Sequence, residues 1–137
     1  MVRCFLIDDD ADDREIFSIA LRGLALETEL HTASNGVEGI QILKDQKDFK
    51  PDFVFLDLNM PKMSGKECLL EIRRMPHLDV IPVIIYSTST QENDIEETKE
   101  MGAKHFLPKP VRIKDLEISL RFILQKEAVE YLVNPKS

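Results

Sequence analysis

Short apolar runs alternate along the chain with longer segments in which apolar residues recur at helical spacing. After the first run, Ile16, Ala20 and Leu24 lie four residues apart and form one face of a predicted helix. The apolar runs predict strands at residues 3–8, 29–33, 53–57, 80–87 and 104–107, and a helical pattern follows each of them. The chain is therefore predicted to consist of five strand–helix pairs.

This alternation of strands and helices predicts the fold class. A strand followed by a helix and a second strand forms a parallel pair with a right-handed crossover. The runs VFLD and VIIYS of the third and fourth strands are almost entirely apolar, as expected for strands that are buried on both faces. We therefore predict an α/β fold, a doubly wound parallel (βα)5 sheet with helices on both faces.

Polar residues and a glycine mark several helix ends. Ser64 and Glu67 match a capping box at the start of the third helix, and Ser89 and Glu92 match one at the start of the fourth. Gly102 lies where a left-handed cap is expected at the end of the fourth helix.

Composition restricts the location and the partners. The chain has 137 residues, a net charge of −7 and a pI near 5.0, which fits one domain and argues against nucleic acid or an anionic membrane as the main partner. No apolar run reaches the roughly 18 residues of a membrane span, and the N-terminus lacks a signal-peptide cleavage site. Cys4 and Cys68 lie in separate apolar segments, which favours buried reduced thiols and a cytoplasmic location.

Residues with useful chemistry stand at the predicted carboxyl ends of the strands. In an open parallel sheet, ligands bind beyond these ends, at one edge of the sheet. The residues found there are Asp8, Asp9, Asp57, Ser87, Thr88 and Lys109. The sequence therefore predicts that three carboxylates, one or two hydroxyls and one ammonium group converge at this edge.

Three clustered carboxylates favour a divalent cation. Two unit charges about 4 Å apart repel by roughly 4 kcal/mol at an effective dielectric constant of about 20, so without a cation the pKa of at least one carboxyl group would rise. Mg²⁺ prefers oxygen ligands, retains several waters and binds phosphate oxygens. Lys109 has the charge that suits a phosphoryl oxygen, and Asp57 has the chemistry of a nucleophile that forms an aspartyl phosphate.

The remaining aspartates of the acidic segment have a more ordinary interpretation. Asp10, Asp12 and Asp13 are predicted to stabilise the positive end of the first helix. An EF-hand loop starting at Asp8 fails, because its twelfth position is Ile19 and not glutamate. Haloacid-dehalogenase phosphatases also place an aspartate nucleophile after the first strand, but their D-x-D-x-T/V motif fails here at its last position.

In order and spacing, these residues resemble the receiver domain of two-component response regulators. The resemblance is carried by Leu6-Ile7-Asp8-Asp9, Asp57, Met60-Pro61, Gly65, Ser87, Gly102-Ala103 and Lys109-Pro110. It extends from Arg3 to Lys126, so residues 1–126 are expected to form the receiver domain, and residues 127–137 an extension of the last helix and a tail. It implies a flavodoxin-like sheet with strand order 2-1-3-4-5.

The resemblance also implies the roles of the site residues. Asp57 would be the phosphoacceptor, and Asp8, Asp9 and Asp57 would hold Mg²⁺ together with the backbone carbonyl of Asn59. Mn²⁺ would be an acceptable substitute. Lys109 would contact the phosphoryl group.

A second set of residues is implied to act in switching. Ser87 would be the switch hydroxyl and Phe106 the switch aromatic residue, and the Lys109–Pro110 peptide bond would be cis. The residues implied to tune the dephosphorylation rate are Asn59, Thr88 and Ser89.

The function implied by the resemblance is signalling. A histidine kinase or a histidine phosphotransfer protein would donate a phosphoryl group to Asp57, which would switch a protein-interaction surface. The chain would then not be an enzyme, apart from catalysing its own phosphorylation and dephosphorylation. Two alternatives remain open: a pseudo-receiver that serves as a binding module, and a Mg²⁺-dependent phosphatase with an aspartate nucleophile.

The end of the chain suggests a stand-alone receiver with a downstream protein target. Few residues follow the fifth strand, and the last helix uses most of them. Its apolar stripe consists of Leu116, Leu120, Leu124, Ala128, Tyr131 and Leu132. The stripe is expected either to cover the protein's own core or, as a sharper hypothesis, to form a homodimer through the last helix.

Overall fold

The computed structural model describes residues 1–89 and 91–125 and contains the five predicted strand–helix pairs. The elements are β1 (Val2–Ile7), α1 (Ala11–Arg22), β2 (Thr28–Ala33), α2 (Gly36–Asp45), β3 (Phe53–Leu56), α3 (Gly65–Arg73), a 3-10 turn (Pro76–Leu78), β4 (Val83–Ser87), α4 (Glu92–Glu100), β5 (His105–Pro108) and α5 (Ile113–Leu124). All strand pairs are parallel, and the sheet order is β2-β1-β3-β4-β5. The predicted fold class and strand order are confirmed.

The helices cover both faces of the sheet, as the apolar central strands require. All residues of β3 and β4 are buried. On one face α1 and α5 pack on a cluster that includes Leu6, Phe17, Phe55, Tyr86 and Leu120. On the other face α2 and α3 pack on a cluster that includes Ile7, Leu56, Leu69, Ile85 and Phe106. Burying each of these large side chains contributes about 1.5–3 kcal/mol to folding, so the two clusters fix the sheet that positions the site.

The fourth strand begins later than predicted. It starts at Val83 and not at Val80, whose surface is 85% exposed. Pro82 precedes it and has no backbone N–H to donate to a neighbouring strand. The fifth strand is displaced by one residue, so that it ends at Pro108, directly before Lys109.

One predicted helix cap is confirmed and one is wrong. Ser64 and Glu67 form the reciprocal capping box of α3. The prediction for Ser89 is wrong, because α4 is preceded by Gln91, which makes no side-chain cap hydrogen bond. The Ser89 hydroxyl instead donates to Asp94 Oδ2 at 2.6 Å and accepts from the Gln91 N–H at 3.4 Å, so its bonds lie in the segment before the helix cap and within the first turn and do not form the predicted capping box.

Helix α4 is held differently from the other helices. Its one fully buried residue is Thr98, whose hydroxyl bonds to backbone carbonyls of the same helix. Gly102, beyond its end, has the predicted positive φ of 102°. The helix therefore has little apolar surface in the core.

The implied cis peptide bond is wrong for this structure. No cis peptide bond occurs among the described residues, so the Lys109–Pro110 bond is trans, the isomer that X–Pro bonds favour by about 0.5–1 kcal/mol. The Lys109 N–H donates to the Ser87 carbonyl at 2.9 Å and continues the pairing of β5 with β4.

The cysteines and the last helix agree with the more ordinary expectations. Cys4 and Cys68 are buried and form no disulfide, and burial raises the pKa of each thiol to about 12.

The apolar stripe of the last helix covers the protein's own core as far as the structure describes it, since Leu116, Leu120 and Leu124 are buried there. The rest of the stripe, at Ala128, Tyr131 and Leu132, lies outside the described residues, so the homodimer hypothesis stays a prediction. In the described part of the chain, no helix combines the length and apolar character that a membrane crossing needs.

Candidate functional site

The carboxyl ends of β1 and β3 bring three carboxylates together. Asp8 and Asp9 follow β1, Asp57 follows β3, and the two strands pair with Ile7 opposite Leu56. One oxygen of each carboxylate lies within 4.8 Å of the others. Asp8 is fully buried, Asp57 is 5% exposed, and Asp9 faces solvent. The predicted acidic cluster is therefore formed, with an open side at Asp9.

The buried carboxylate of Asp8 is suited to a cation. Its Oδ1 accepts a hydrogen bond from the Asp10 N–H at 3.0 Å, whereas its Oδ2 is buried without a hydrogen bond of normal geometry. The Lys109 ammonium lies 2.8 Å from Oδ2 as an ion pair. Burial raises the pKa of the Asp8 carboxyl to about 6, although Lys109 lowers it in part. A buried oxygen without a directional partner, next to two further carboxylates, fits a hard divalent cation.

The side chain of Lys109 reaches into the same cluster. Its Nζ lies 2.7 Å from Asp13, 2.8 Å from Asp8 and 3.4 Å from Asp57, and the side chain is only 8% exposed. The ammonium also lies 5.4 Å from the ring centroid of Tyr86, within the range of a cation–π contact. Burial alone would lower the pKa of Lys109, but the carboxylates of Asp13, Asp8 and Asp57 outweigh it and raise the pKa. Lys109 is therefore charged and fixed in place.

Asp13 is the site residue that sequence reasoning missed. It lies in the first turn of α1, as predicted, and its N–H bonds to the capping carboxylate of Asp10. Its own carboxylate, however, contacts Lys109 across the site. The one available signal was its position, since the first turn of a helix that follows a strand stands over the carboxyl edge of the sheet.

The loop after β3 is folded closely onto the strand end that carries Asp57. The Gly65 N–H donates to the Leu58 carbonyl at 2.8 Å. A Cβ atom at Gly65 would lie 2.2 Å from the Asp57 carbonyl oxygen and 2.6 Å from the Leu58 Cα. The glycine therefore lets α3 begin directly against the backbone of the site.

The two predicted switch residues lie on neighbouring strands behind the acidic cluster. Ser87 is fully buried at the end of β4, and its hydroxyl accepts a hydrogen bond from the Ser89 N–H at 3.3 Å. Phe106 is fully buried in β5, opposite Ile85 of β4. Phe106 is thus in an inward orientation. Three further residues predicted to tune the site, Asn59, Thr88 and Ser89, line one open cavity together with Gln91 and Asp94.

A group of polar contacts connects this cavity to two helices. Asp94 at the start of α4 accepts from the Ser89 hydroxyl and forms an ion pair of 2.7 Å with Lys66 of α3. Lys66 also lies 3.0 Å from Glu97. The contact with Lys66, followed by that with Ser89, lowers the pKa of Asp94. The start of α4 is therefore held to α3 by charged groups.

The fold and the site together define a doubly wound α/β domain with three clustered carboxylates and a buried lysine ammonium at the carboxyl edge of its sheet. A family model of the response regulator receiver domain matches residues 4–121. The chain therefore belongs to the response regulator receiver family, whose members act in two-component signalling. The resemblance inferred from the sequence is confirmed.

Similar proteins support this assignment. The response regulator Rcp1 of Synechocystis sp. is 31% identical over 115 residues, which are 81% of this chain and 78% of Rcp1. A CpxR homolog of Haemophilus influenzae is 33% identical over 93% of this chain, which spans about half (52%) of that transcriptional regulatory protein. Receiver domains thus occur both in short proteins and as parts of longer ones.

Two solved structures share the fold at significant sequence identity. The phosphorylated cyanobacterial phytochrome response regulator RcpA has a TM-score of 0.82 and 30% identity, covering 90% of this chain and 91% of that one. The Mn²⁺-bound form of Rcp1 has a TM-score of 0.78 and 27% identity, covering 94% of each chain. One similar protein is thus described as phosphorylated and another as bound to a divalent cation.

Proposed function

We propose that Asp57 accepts a phosphoryl group in a reaction that depends on a divalent cation, and that this phosphorylation switches a protein-interaction surface. The donor would be a phosphohistidine of a histidine kinase or a histidine phosphotransfer protein. The observation that carries the proposal is the convergence of Asp8, Asp9 and Asp57 with the Lys109 ammonium. These are the groups that phosphoryl transfer to a carboxylate requires.

Each residue has a defined task in the proposed transfer. A carboxylate oxygen of Asp57 attacks phosphorus, and the bond from phosphorus to the histidine nitrogen breaks, so that the imidazole leaves. Lys109, already 3.4 Å from Asp57, contacts a phosphoryl oxygen and offsets its charge. Asp8, Asp9 and Asp57 would hold the cation, with the backbone carbonyl of Asn59 as the further ligand expected from the family.

The cation itself would neutralise charge on the transferred group. Mg²⁺ is the expected ion because it tolerates few protein ligands and keeps several waters. Mn²⁺ is expected to substitute for it, and the similar protein Rcp1 has been solved in a Mn²⁺-bound form.

Switching is proposed to start at Ser87. The two negative charges added at Asp57 would attract the Ser87 hydroxyl and Lys109. Ser87 would then lose the hydrogen bond that its hydroxyl now accepts from the Ser89 N–H. Phe106 would then rotate into the vacated space and change the surface of β4, α4 and β5. Phosphorylation in this view biases an element with two arrangements and does not create a new fold.

The proposal is tested by incubating the protein with acetyl phosphate, a small phosphoryl donor that replaces the partner kinase. With Mg²⁺ we expect an intact-mass gain of one phosphoryl group, and with EDTA in place of Mg²⁺ we expect at least about a hundredfold slower gain, because the acidic cluster would stay unneutralised. Absence of labelling in both arms would favour the binding-module alternative. Turnover of a small phosphate ester would instead favour the phosphatase alternative.

A substitution at Ser87 is expected to separate phosphorylation from switching. Ser87→Ala keeps the nucleophile and the cation ligands, so labelling by acetyl phosphate should stay within about tenfold of the wild type. The change in amide hydrogen exchange that phosphorylation causes in α4 and β5 should be lost. Ser34→Ala, at the chemically quiet end of β2, is the matched control and should preserve that change. An unaltered exchange response in Ser87→Ala would remove Ser87 from the mechanism.

The partners proposed for this function are proteins. A net charge of −7 argues against nucleic acid, and a histidine kinase or phosphotransfer protein upstream and a protein target downstream are proposed instead. We also propose a cytoplasmic location, which is supported by that partnership and by two buried cysteines that form no disulfide.

A further inference from the structure

The shortest contact of the Lys109 ammonium is with Asp13, which is not one of the three converging carboxylates. Lys109 Nζ lies 2.7 Å from Asp13 Oδ2, 2.8 Å from Asp8 Oδ2 and 3.4 Å from Asp57 Oδ2. Asp13 belongs to α1, and its side chain is 27% exposed, whereas Lys109 is almost fully buried. The ammonium is therefore held between a helix on one side and the strand ends on the other.

Lys109 and a divalent cation need the same oxygen. Asp8 Oδ2 is the buried oxygen that fits a cation, and the Lys109 ammonium already lies 2.8 Å from it. Two positive groups at one carboxylate oxygen repel each other strongly where water is excluded. Because Lys109 is only 8% exposed, its ammonium has no easy route to solvent and needs another acceptor inside the site.

We propose that Asp13 is a positioning residue that holds the Lys109 ammonium beside the cation site and thereby strengthens binding of Mg²⁺. An ammonium group has three donors, and when the cation takes Asp8, the contact with Asp13 keeps the charge of Lys109 paired. The inference rests on the proposed function, since it assumes that the acidic cluster binds the cation.

The test is a calorimetric titration of the full chain with Mg²⁺, without any phosphoryl donor. Asp13→Asn is expected to weaken Mg²⁺ binding by about fivefold, because the ammonium then competes for Asp8. Asp12→Asn is the matched control, because Asp12 lies in the same first turn of α1, is exposed and carries the same charge. It should change the affinity by less than about twofold.

The same two substitutions made in a Lys109→Gln protein separate the positioning of Lys109 from the simple loss of one negative charge. In Lys109→Gln no ammonium needs a partner, so Asp13→Asn and Asp12→Asn should then have equal effects on Mg²⁺ affinity. Asp13→Ser, which also suits the first turn of a helix, provides a second variant if Asp13→Asn melts early. Equal affinities of Asp13→Asn and Asp12→Asn in the wild-type background would overturn the inference, as would an unequal effect that persists in Lys109→Gln. A wild-type chain that binds no Mg²⁺ would overturn the proposed function as well.

Discussion

Asp57→Asn is expected to reduce phosphoryl uptake from acetyl phosphate by at least about a hundredfold, because an amide has no nucleophilic carboxylate and is a weak cation ligand. The asparagine side chain has nearly the shape of the aspartate side chain, so the buried position at the end of β3 is expected to accept the substitution. Intact-mass measurement of the labelled fraction over time is the direct readout. The circular dichroism spectrum of the variant should match that of the wild type, which would show that the fold is retained.

The matched control for this result is Asp48→Asn, which makes the same chemical change at an exposed position between α2 and β3. It should be labelled at the wild-type rate. If Asp57→Asn is labelled as readily as Asp48→Asn, the phosphoacceptor is another residue and the proposed function is wrong in its central point. Peptide mapping of the wild type should place the added mass on the segment that contains Asp57.

Gly65→Ala is expected to lower the free energy of unfolding by about 3 kcal/mol, a large effect for one methyl group. The added Cβ would lie 2.2 Å from the Asp57 carbonyl oxygen and 2.6 Å from the Leu58 Cα. Both are backbone atoms at the strand end that carries Asp57, so neither can move without displacing the site. Urea denaturation with and without the substitution measures the loss.

Gly23→Ala is the control for the glycine substitution. Gly23 follows α1 with a helical φ of −76°, and its nearest neighbour would be the flexible carboxylate end of Glu117. Its effect should stay within about 1 kcal/mol of zero. A Gly65→Ala protein as stable as Gly23→Ala would mean that the loop after β3 yields easily, and the close approach would then have no structural importance.

The sequence was most informative where burial and strand direction determine the outcome. The apolar runs of β3 and β4 predicted a parallel sheet, because strands covered on both faces need apolar residues throughout. Asp8, Asp57 and Lys109 were then found together, since parallel strands deliver their carboxyl ends to one edge. No knowledge of side-chain conformation was needed for either step.

The sequence was least informative where a side chain has a choice of partners. Ser89 matched a capping pattern, but its hydroxyl bonds to Asp94, which lies five residues further along. Asp13 matched a helix N-terminal role, and its contact with Lys109 depends on how α1 lies over the sheet. Such choices are decided by the packing of whole elements, which local patterns do not contain.

Helix α4 is stabilised less by apolar burial than the other helices of this domain. Thr98 is its one fully buried residue, and its start is tied to α3 through Lys66 and Asp94 at the partly exposed surface. Attraction between partly exposed charges is screened by salt, whereas the apolar core is not weakened in that way. Among the helices that the structure describes, α4 is therefore the one expected to open locally at the lowest free energy. Ionic strength would then set how often the proposed switching surface of β4, α4 and β5 samples that opened form before any phosphoryl group arrives.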